Sequence, residues 1–310
     1  MSLKTLKIKN LDIKPEKGDA FPYETDPDLP KLHTCLIANA KRGGSKTTSI
    51  INLMERLPYD RIFIVSPTYH SNLNLMKRLK KHSIEDVYED PNDISCLDDI
   101  VDKINAERDL LEKYLEDIHK WKELQKFLNN QNELFSIPDE LLMDFFSNGA
   151  FQKPVWKYGL ENGNELKPKK PCMAILFDDC MNSGVFTKGI KKLNSMVIYM
   201  RHLGQLKDGG ALGCSFIFAV QSYKSLHGGL SKTIRNQMTA MMLMKTKNEK
   251  ELDEIAEEVA GEVSKETFMK VYNEAIKEKF DFLFIDLHKK DHHPSMFRRN
   301  FNEFLIIPEN

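Results

Sequence analysis

The side chains best suited to chemistry fall in three short stretches, each an apolar run that ends in polar residues. The first, Leu36 to Met54, reads LIANAKRGGSKTTSIINLM. Lys46 and Thr47 fill the last two places of the pattern G-x-x-x-x-G-K-[ST]. In that pattern backbone N–H groups close around phosphate oxygens, the lysine reaches the outer phosphates and the hydroxyl helps hold Mg²⁺. Ala40 stands where the first glycine belongs and Ser45 where the second does, with Lys41, Arg42, Gly43 and Gly44 between them and Thr48 after the pair. Gly43 and Gly44 loosen the loop, Cys35 to Ile37 end an expected strand, and Thr48 to Met54 start a helix whose N-terminus would face an anion. An ordinary strand–helix turn is the competing reading.

The second stretch is MAILFDDCM, Met173 to Met181, whose polar end presents the adjacent carboxylates Asp178 and Asp179. Ligands of open parallel sheets bind beyond the carboxyl ends of the strands, so both acids are expected in the crevice of the phosphate loop. Asp178 would then lie near a Mg²⁺ held by Thr47, and Asp179 would orient or deprotonate an attacking water. A strand-end acid pair that caps the next turn would read the same way. In the third stretch, FAVQSY, Gln221 directly follows a buried run, where an amide can bond both a γ-phosphate oxygen and the attacking water. A solvated loop glutamine competes with that role. Arg235, in TIRNQ, and Arg201, in YMRHL, are rival candidates for an arginine that reaches the γ-phosphate of a neighbouring subunit. Such a group can be worth ~10³ or more in rate; either could instead be a structural arginine.

Elements that could position these groups follow from the hydrophobic periodicity. Residues 1–30 alternate apolar and basic positions (Leu6, Ile8, Leu11, Ile13) and then pass Pro22, Pro27 and Pro30, which suggests an edge strand and an irregular lead-in. Arg61 to Ser66 reads as a buried strand and Asn72 to Lys81 as a basic helix. From Leu97 to Leu134, apolar residues at spacings of three, four and seven predict an amphipathic helix or a helical pair. It interrupts the alternation, so residues 85–170 are expected to be a helical insertion that serves as a lid or packing module, closed by the Gly-, Asn-, Lys- and Pro-rich tract Glu161 to Pro171. Strand-like runs resume at Cys172 to Phe177, Cys214 to Val220, Thr239 to Lys245 and Phe280 to Asp286, with helices at Lys188 to Leu203, Glu249 to Glu258 and Lys265 to Lys279. Strands alternating with helices predict an α/β fold with a mostly parallel sheet, its core divided between residues 31–84 and 171–310.

Composition bounds the rest. A chain of 310 residues, 41% hydrophobic and 29% charged, can bury a sizeable core. Its net charge of −1 supplies no global basic field, so any nucleic-acid contact must be local. Five scattered cysteines without C-x-x-C spacing argue against a disulfide framework or a zinc site and for a reducing compartment. The N-terminus carries no signal-peptide pattern, and no run has the length of a membrane span. His288, Asp291, His292 and His293 read as a solvated loop rather than a metal site, and the Met-rich run around Met241 as core filling.

The order of these pieces resembles the genome-packaging ATPases of large DNA viruses and their virophage relatives, a branch of the FtsK–HerA-like P-loop motors. The resemblance rests on AKRGGSKTT, IFIVSPTY, ILFDD, the pair Arg201–His202, FAVQSY, TIRN and FIDLH with FRRNF, and spans about residues 31–304. It implies a RecA-like core that binds ATP and Mg²⁺, with Lys46 and Thr47 on phosphate and metal and Asp178 on metal. It also implies Asp179 on water, Gln221 as sensor and Arg235 as the favoured trans-acting arginine. The implied activity is ATP-driven translocation of double-stranded DNA into preformed capsids by a ring, expected to be a hexamer, that docks on a capsid or portal-vertex protein. The implied setting is the host-cell cytoplasm or the virion. The lysines at 188, 191, 192 and 207 could then face DNA phosphates, or could be a solvated helix face. The alternatives are a cellular DNA pump of the same superfamily and a non-hydrolysing P-loop scaffold. Ser45 departs from the family pattern, and its Cβ is expected to crowd the backbone where phosphate must approach.

Overall fold

Six of the strands lie parallel, and their sequences explain why. The computed structural model describes residues 26–41, 43–129, 137–148, 152–162, 165–225, 227–259 and 263–308. The alternating segment around Leu6 to Ile13, expected as an edge strand, lies outside the described residues, as does Arg42. The first elements are β1 (Cys35–Asn39), α1 (Lys46–Met54), β2 (Arg61–Val65), α2 (Leu73–Met76) and β3 (Val87–Tyr88). They are followed by α3 (Cys96–Asn129), α4 (Asp139–Asn148) and a hairpin of β4 (Gly159–Asn162) with β5 (Glu165–Pro168). Next come β6 (Met173–Asp178), α5 (Ile190–Ile198), β7 (Ser215–Val220), α6 (Lys232–Asn236) and β8 (Ala240–Met244). The chain continues through α7 (Glu249–Val259), α8 (Lys265–Ala275), β9 (Phe282–Asp286), β10 (Phe297–Arg299) and β11 (Glu303–Phe304).

Nine strands form one sheet in the order β11-β10-β9-β8-β1-β7-β6-β2-β3. Pairings from β8 through β3 are parallel, and those among β8, β9, β10 and β11 are antiparallel. Every residue of β1, β6, β7, β8 and β9 is buried, which is why these strands read as unbroken apolar runs rather than alternating ones. Alternate residues still go to opposite faces. Leu36 and Ala38 pack with Ile50, Ile51 and Leu53 of α1, whereas Cys35 and Ile37 belong to the cluster that holds Leu193 of α5, Ile255 of α7 and Phe268 of α8. Met241, Met242 and Met244 are core residues, as expected.

Two features differ from the expected organisation. Val87 and Tyr88, inside the segment expected as an insertion, pair with Ile64 and Val65 and extend the main sheet. Also, the expected amphipathic helix forms as α3, 34 residues long, but it places Leu97, Ile100, Ile104 and Leu111 in the main core rather than in a separate module. The amphipathic stripe fixed a buried face but carried no information about what it packs against. The helix expected over Asn72 to Lys81 shrinks to the four residues of α2, because the chain then tightens into i→i−3 bonds from Arg78 to Leu75 and from Leu79 to Met76.

Candidate active site

Strand register brings the three sequence stretches together. Asn39 lies beside Val220, and Asp178 beside Ala219, so Ala40, Asp179 and Gln221 all leave the sheet at the carboxyl end of the parallel strands. Here the Ala40 N–H donates to the Val220 carbonyl at 3.1 Å and fixes the start of the loop. Gly44 N–H closes back on Lys41 O at 3.1 Å. A Cβ at Gly44 would lie 3.0 Å from Ala40 Cβ and 3.1 Å from Lys41 O, so close packing, not a special φ, requires glycine there. The special φ falls one residue later. Ser45, the N-cap of α1, has φ 57° and ψ 18°, the left-handed region that costs an L-residue about 1–2 kcal/mol. Ser45 therefore carries backbone strain of its own.

The next two side chains turn toward the acids. Lys46, nearly buried, places Nζ 3.1 Å from Asp179 Oδ1. Thr47 Oγ1 lies 3.1 Å from Asp178 Oδ1 and 3.3 Å from Oδ2. Gln221 Nε2 donates to the same Asp179 Oδ1 at 3.3 Å. One carboxylate oxygen therefore gathers the ammonium and the amide, and Asp179 is held with φ 54° at the strand end. Lys41, Gly43 and Thr48 are exposed along the loop and the first turn of α1.

Among the described residues, two carboxylates of the site, Asp178 and Asp179, face one ammonium, that of Lys46. Asp178 is wholly buried. Burial first, and the Asp179 charge second, push its carboxyl up to about 6, while Lys46 and the Thr47 hydroxyl pull it down. A buried carboxylate beside a hydroxyl, with a second carboxylate next to it, is an oxygen donor set suited to a hard divalent cation. The residues present therefore fit Mg²⁺ between Thr47 and Asp178.

Neither candidate arginine joins this cluster. Arg235 is largely buried, with Nε 3.1 Å from Glu258 Oε2, Nη1 donating to Leu230 O at 2.8 Å and its guanidinium 5.4 Å from the Tyr223 ring centroid. All of those partners belong to the same chain. Arg201 is exposed and follows α5; the neighbouring Met200 carbonyl accepts from Cys214 N–H, just before β7 begins. That places it at the amino end of the strands, about 20 Å of strand away from Gln221 by the rise per residue. Of the lysine cluster, Lys192 pairs with Asp98 at 2.5 Å and Lys207 with Glu112 at 3.4 Å, which ties the segment to α3.

One contributor was missed by sequence reasoning. Glu251, an acid on the buried face of α7, accepts from Tyr223 N–H at 2.7 Å, and Tyr223 Oη donates to Glu258 at 2.7 Å. Together they pin the turn that carries Gln221. The only sequence signal was an acid in step with Leu252 and Ile255 on an apolar stripe. The histidines are also better partnered than expected: the ring Nε2 atoms of His292 and His293 lie 3.2 and 2.9 Å from Pro27 O, and Arg298 Nη2 lies 3.1 Å from His293 Nδ1. Asp28, His292 and His293 could each offer a ligand atom within 4.8 Å of the others, but the adjacent guanidinium and the occupied ring nitrogens oppose a metal there.

No family model and no curated protein matches this chain. Among solved structures it is similar to the genome packaging NTPase B204 from Sulfolobus turreted icosahedral virus 2 in complex with ATP-gammaS. That likeness has 12% identity and a TM-score of 0.41, over 89% of this chain and 98% of the other. It is also similar to the pCW3 conjugation coupling protein TcpA, with 14% identity and a TM-score of 0.40, over 89% of this chain and 62% of the other. A third likeness, to ATPases 2 and 3 of EssC from Geobacillus thermodenitrificans, has 14% identity and a TM-score of 0.31 over 70% of this chain and 33% of that one.

Proposed function

We propose that the chain is a P-loop ATPase with a RecA-like core, of the FtsK–HerA-like type, and that it drives double-stranded DNA into a preformed viral capsid. The observation that carries the ATPase reading is the convergence at one end of the sheet: Lys46 and Gln221 on Asp179, and Thr47 on buried Asp178, around the N-terminus of α1. First-turn N–H groups and the helix dipole favour phosphate oxygens there. Lys46 would move from Asp179 onto the outer phosphates and offset their charge. Asp179, released from the ammonium, would accept a proton from the attacking water or orient it, and Gln221 would hold that water from the other side. Mg²⁺ held by Thr47 and Asp178 would supply neutralisation of charge on the phosphate oxygens.

Packaging is the finer part of the proposal and rests on the order of the sequence motifs. DNA contact would be to backbone phosphates and fall steeply with salt. A neighbour's arginine would complete each site in a ring, expected to be hexameric. Arg235 could serve only by leaving Glu258, whereas exposed Arg201 needs no such release. A capsid or portal-vertex protein is the proposed docking partner. Among the described residues no helix is long and apolar enough to cross a membrane. The test is Mg²⁺-dependent ATP hydrolysis by the full chain with and without duplex DNA. Turnover lost in Lys46→Ala and Asp179→Asn supports the reading; equal turnover in all three proteins sinks the site assignment. A chain that binds ATP but never turns it over would instead be a scaffold, the reading that strained Ser45 favours.

A further inference from the structure

Two stretches far apart in sequence meet at the antiparallel edge of the sheet, and side chains of one bond the backbone carbonyls of the other. Lys290 Nζ donates to Asp26 O at 2.7 Å. The Nε2 atoms of His293 and His292 lie 2.9 and 3.2 Å from Pro27 O, and Arg298 Nη1 donates to Asp28 O. Leu29, the next residue, is buried with Ile50 and Met54 of α1, and its N–H closes a turn on Asp26 O at 3.1 Å. The loop from Lys290 to Arg298 thus holds a short piece of chain by its peptide groups, against the apolar layer that α1 covers.

The partners of His293 fix where its proton sits. Pro27 O can only accept, so Nε2 carries the hydrogen. On the other side of the ring Arg298 Nη2 lies 3.1 Å from Nδ1, and a guanidinium can only donate. Nδ1 must therefore keep its lone pair, and the ring is neutral. Both residues are buried. The other bonds of Arg298 go to the carbonyls of Asp28 and Phe301, and its Nε has no partner among the described residues. A second proton on His293 would turn the only acceptor of Nη2 into a donor and set two cations in contact away from water. His292 differs: it is exposed, and its Nε2 can donate to Pro27 O with or without a second proton.

From this geometry we propose that His293 is a proton-operated latch: the neutral ring holds Asp26 to Leu29 on the sheet edge, and the imidazolium releases them. Around the ring lie the guanidinium of Arg298 in β10, the His292 ring at 4.5 Å and the Phe304 ring of β11 at 5.3 Å. Lys289 Nζ donates to the His293 carbonyl at 3.2 Å, and Lys290 Nζ is bound to Asp26 O. Two acids, Asp28 and Asp286 at the end of β9, favour the proton. Asp28 is exposed, so water screens it, and burial pushes the Asp286 carboxyl up toward its neutral form. Burial first, and then the Arg298 and His292 charges, pull His293 below its ordinary 6.5, against the Pro27 bond and Asp286, which raise it. The released form therefore takes up a proton more readily than the held form. Holding is complete above about pH 6.5 and weakens as pH falls below it. The latch does not depend on the ATPase reading.

Amide hydrogen exchange and the ring chemical shifts of His293, both read by NMR on the full chain, test the latch. At about pH 7.5 the ring should be neutral with its hydrogen on Nε2. From about pH 7 to about pH 4.5, exchange at the Leu29 amide, corrected for the intrinsic rate, should speed up about tenfold or more, the worth of one bond to a charged group. The Ile37 amide in central β1 should not speed up with it. His293→Gln, whose side chain offers a donor and an acceptor but does not titrate, should hold the segment throughout, and His292→Gln should keep the wild-type response. The latch is overturned if the ring carries its hydrogen on Nδ1 at about pH 7.5 or stays neutral down to about pH 4.5. It is equally overturned if Leu29 exchange ignores the protonation of His293, if Ile37 speeds up alongside Leu29, or if His293→Gln responds as the wild type does. Should His293→Gln not fold, the wild-type comparison of Leu29 with Ile37 across the His293 titration decides alone.

Discussion

The two ends of the β2–β6 strand pair each bury acids, yet they balance them differently. At the amino end, Arg61 meets Asp86 through Nη2 at 2.8 Å and Nε at 2.9 Å, and Glu107 through Nη1 at 3.0 Å. Lys157 adds a second cation to Glu107 at 2.9 Å, and Lys103 one to Asp86 at 3.5 Å. Asp86 and Glu107 thus each have more than one cation. At the carboxyl end, Asp178 and Asp179 share Lys46, and Asp178 keeps its proton to about pH 6. A closed network stabilises the fold once assembled; an acid pair with one cation among the described residues leaves binding capacity for a ligand.

Arg61→Ala tests the amino end most severely. It removes the shared guanidinium from two buried carboxylates and leaves each with a single lysine, and breaking such a buried network by removing one partner costs about 3–5 kcal/mol. Urea unfolding should show a loss of that order, while turnover per folded molecule is unchanged. A loss below about 1 kcal/mol would mean that the network is worth no more than a surface pair.

At the carboxyl end the loss should appear in rate instead. Lys46→Ala and Asp179→Asn are expected to lower kcat by about 10²–10³, the size of removing one aligned electrostatic group, with the unfolding midpoint nearly kept. If both variants unfolded as readily as Arg61→Ala, the contrast between the ends would collapse.

Asp178 gives a pH signature of similar energy. Its carboxyl titrates near 6 in the folded protein and near its ordinary 3.8 in the unfolded chain. The folded state therefore holds a proton that the unfolded state has released, so stability falls as pH rises from about 4 to about 6, by on the order of 3 kcal/mol. Urea midpoints in chelator should show that fall in the wild type and lack it in Asp178→Asn. Parallel curves would remove the argument that Asp178 is undercompensated. Mg²⁺ should offset the penalty above pH 6, where the carboxylate is available to it.

The smallest effect is expected at Ser45. Ser45→Gly removes the left-handed cost while loosening the unfolded chain, a net gain of roughly 1 kcal/mol in stability. It should also tighten ATP binding. Unchanged affinity would show that the strain is not felt by the phosphate.

Much of this site was legible because each of its stretches is local. Lys46–Thr47, Asp178–Asp179 and Gln221 each follow an apolar run, and a parallel sheet presents all such run ends on one side. The arginines were not legible. Nothing near Arg235 in sequence announces Glu258 or the Tyr223 ring, and nothing near Arg201 says that it emerges at the amino end of β7. Of the histidines read as a solvated loop, His288 and His292 are exposed, and only His293 is buried, against a Pro27 carbonyl 266 residues away that its sequence neighbours could not announce.

By itself, then, the amino-acid sequence determined the α/β alternation, the buried strands and which side chains end them, because periodicity and strand-end polarity are properties of neighbouring residues. Only the tertiary structure decided which ends meet. Thr47 reaches Asp178 across 131 residues of chain, Val87 and Tyr88 join the sheet from within the helical segment, and a left-handed conformation falls on Ser45 as well as on Gly43. Strand order and register fix those outcomes. They are set by how whole faces pack together, and no single stretch of sequence contains that information.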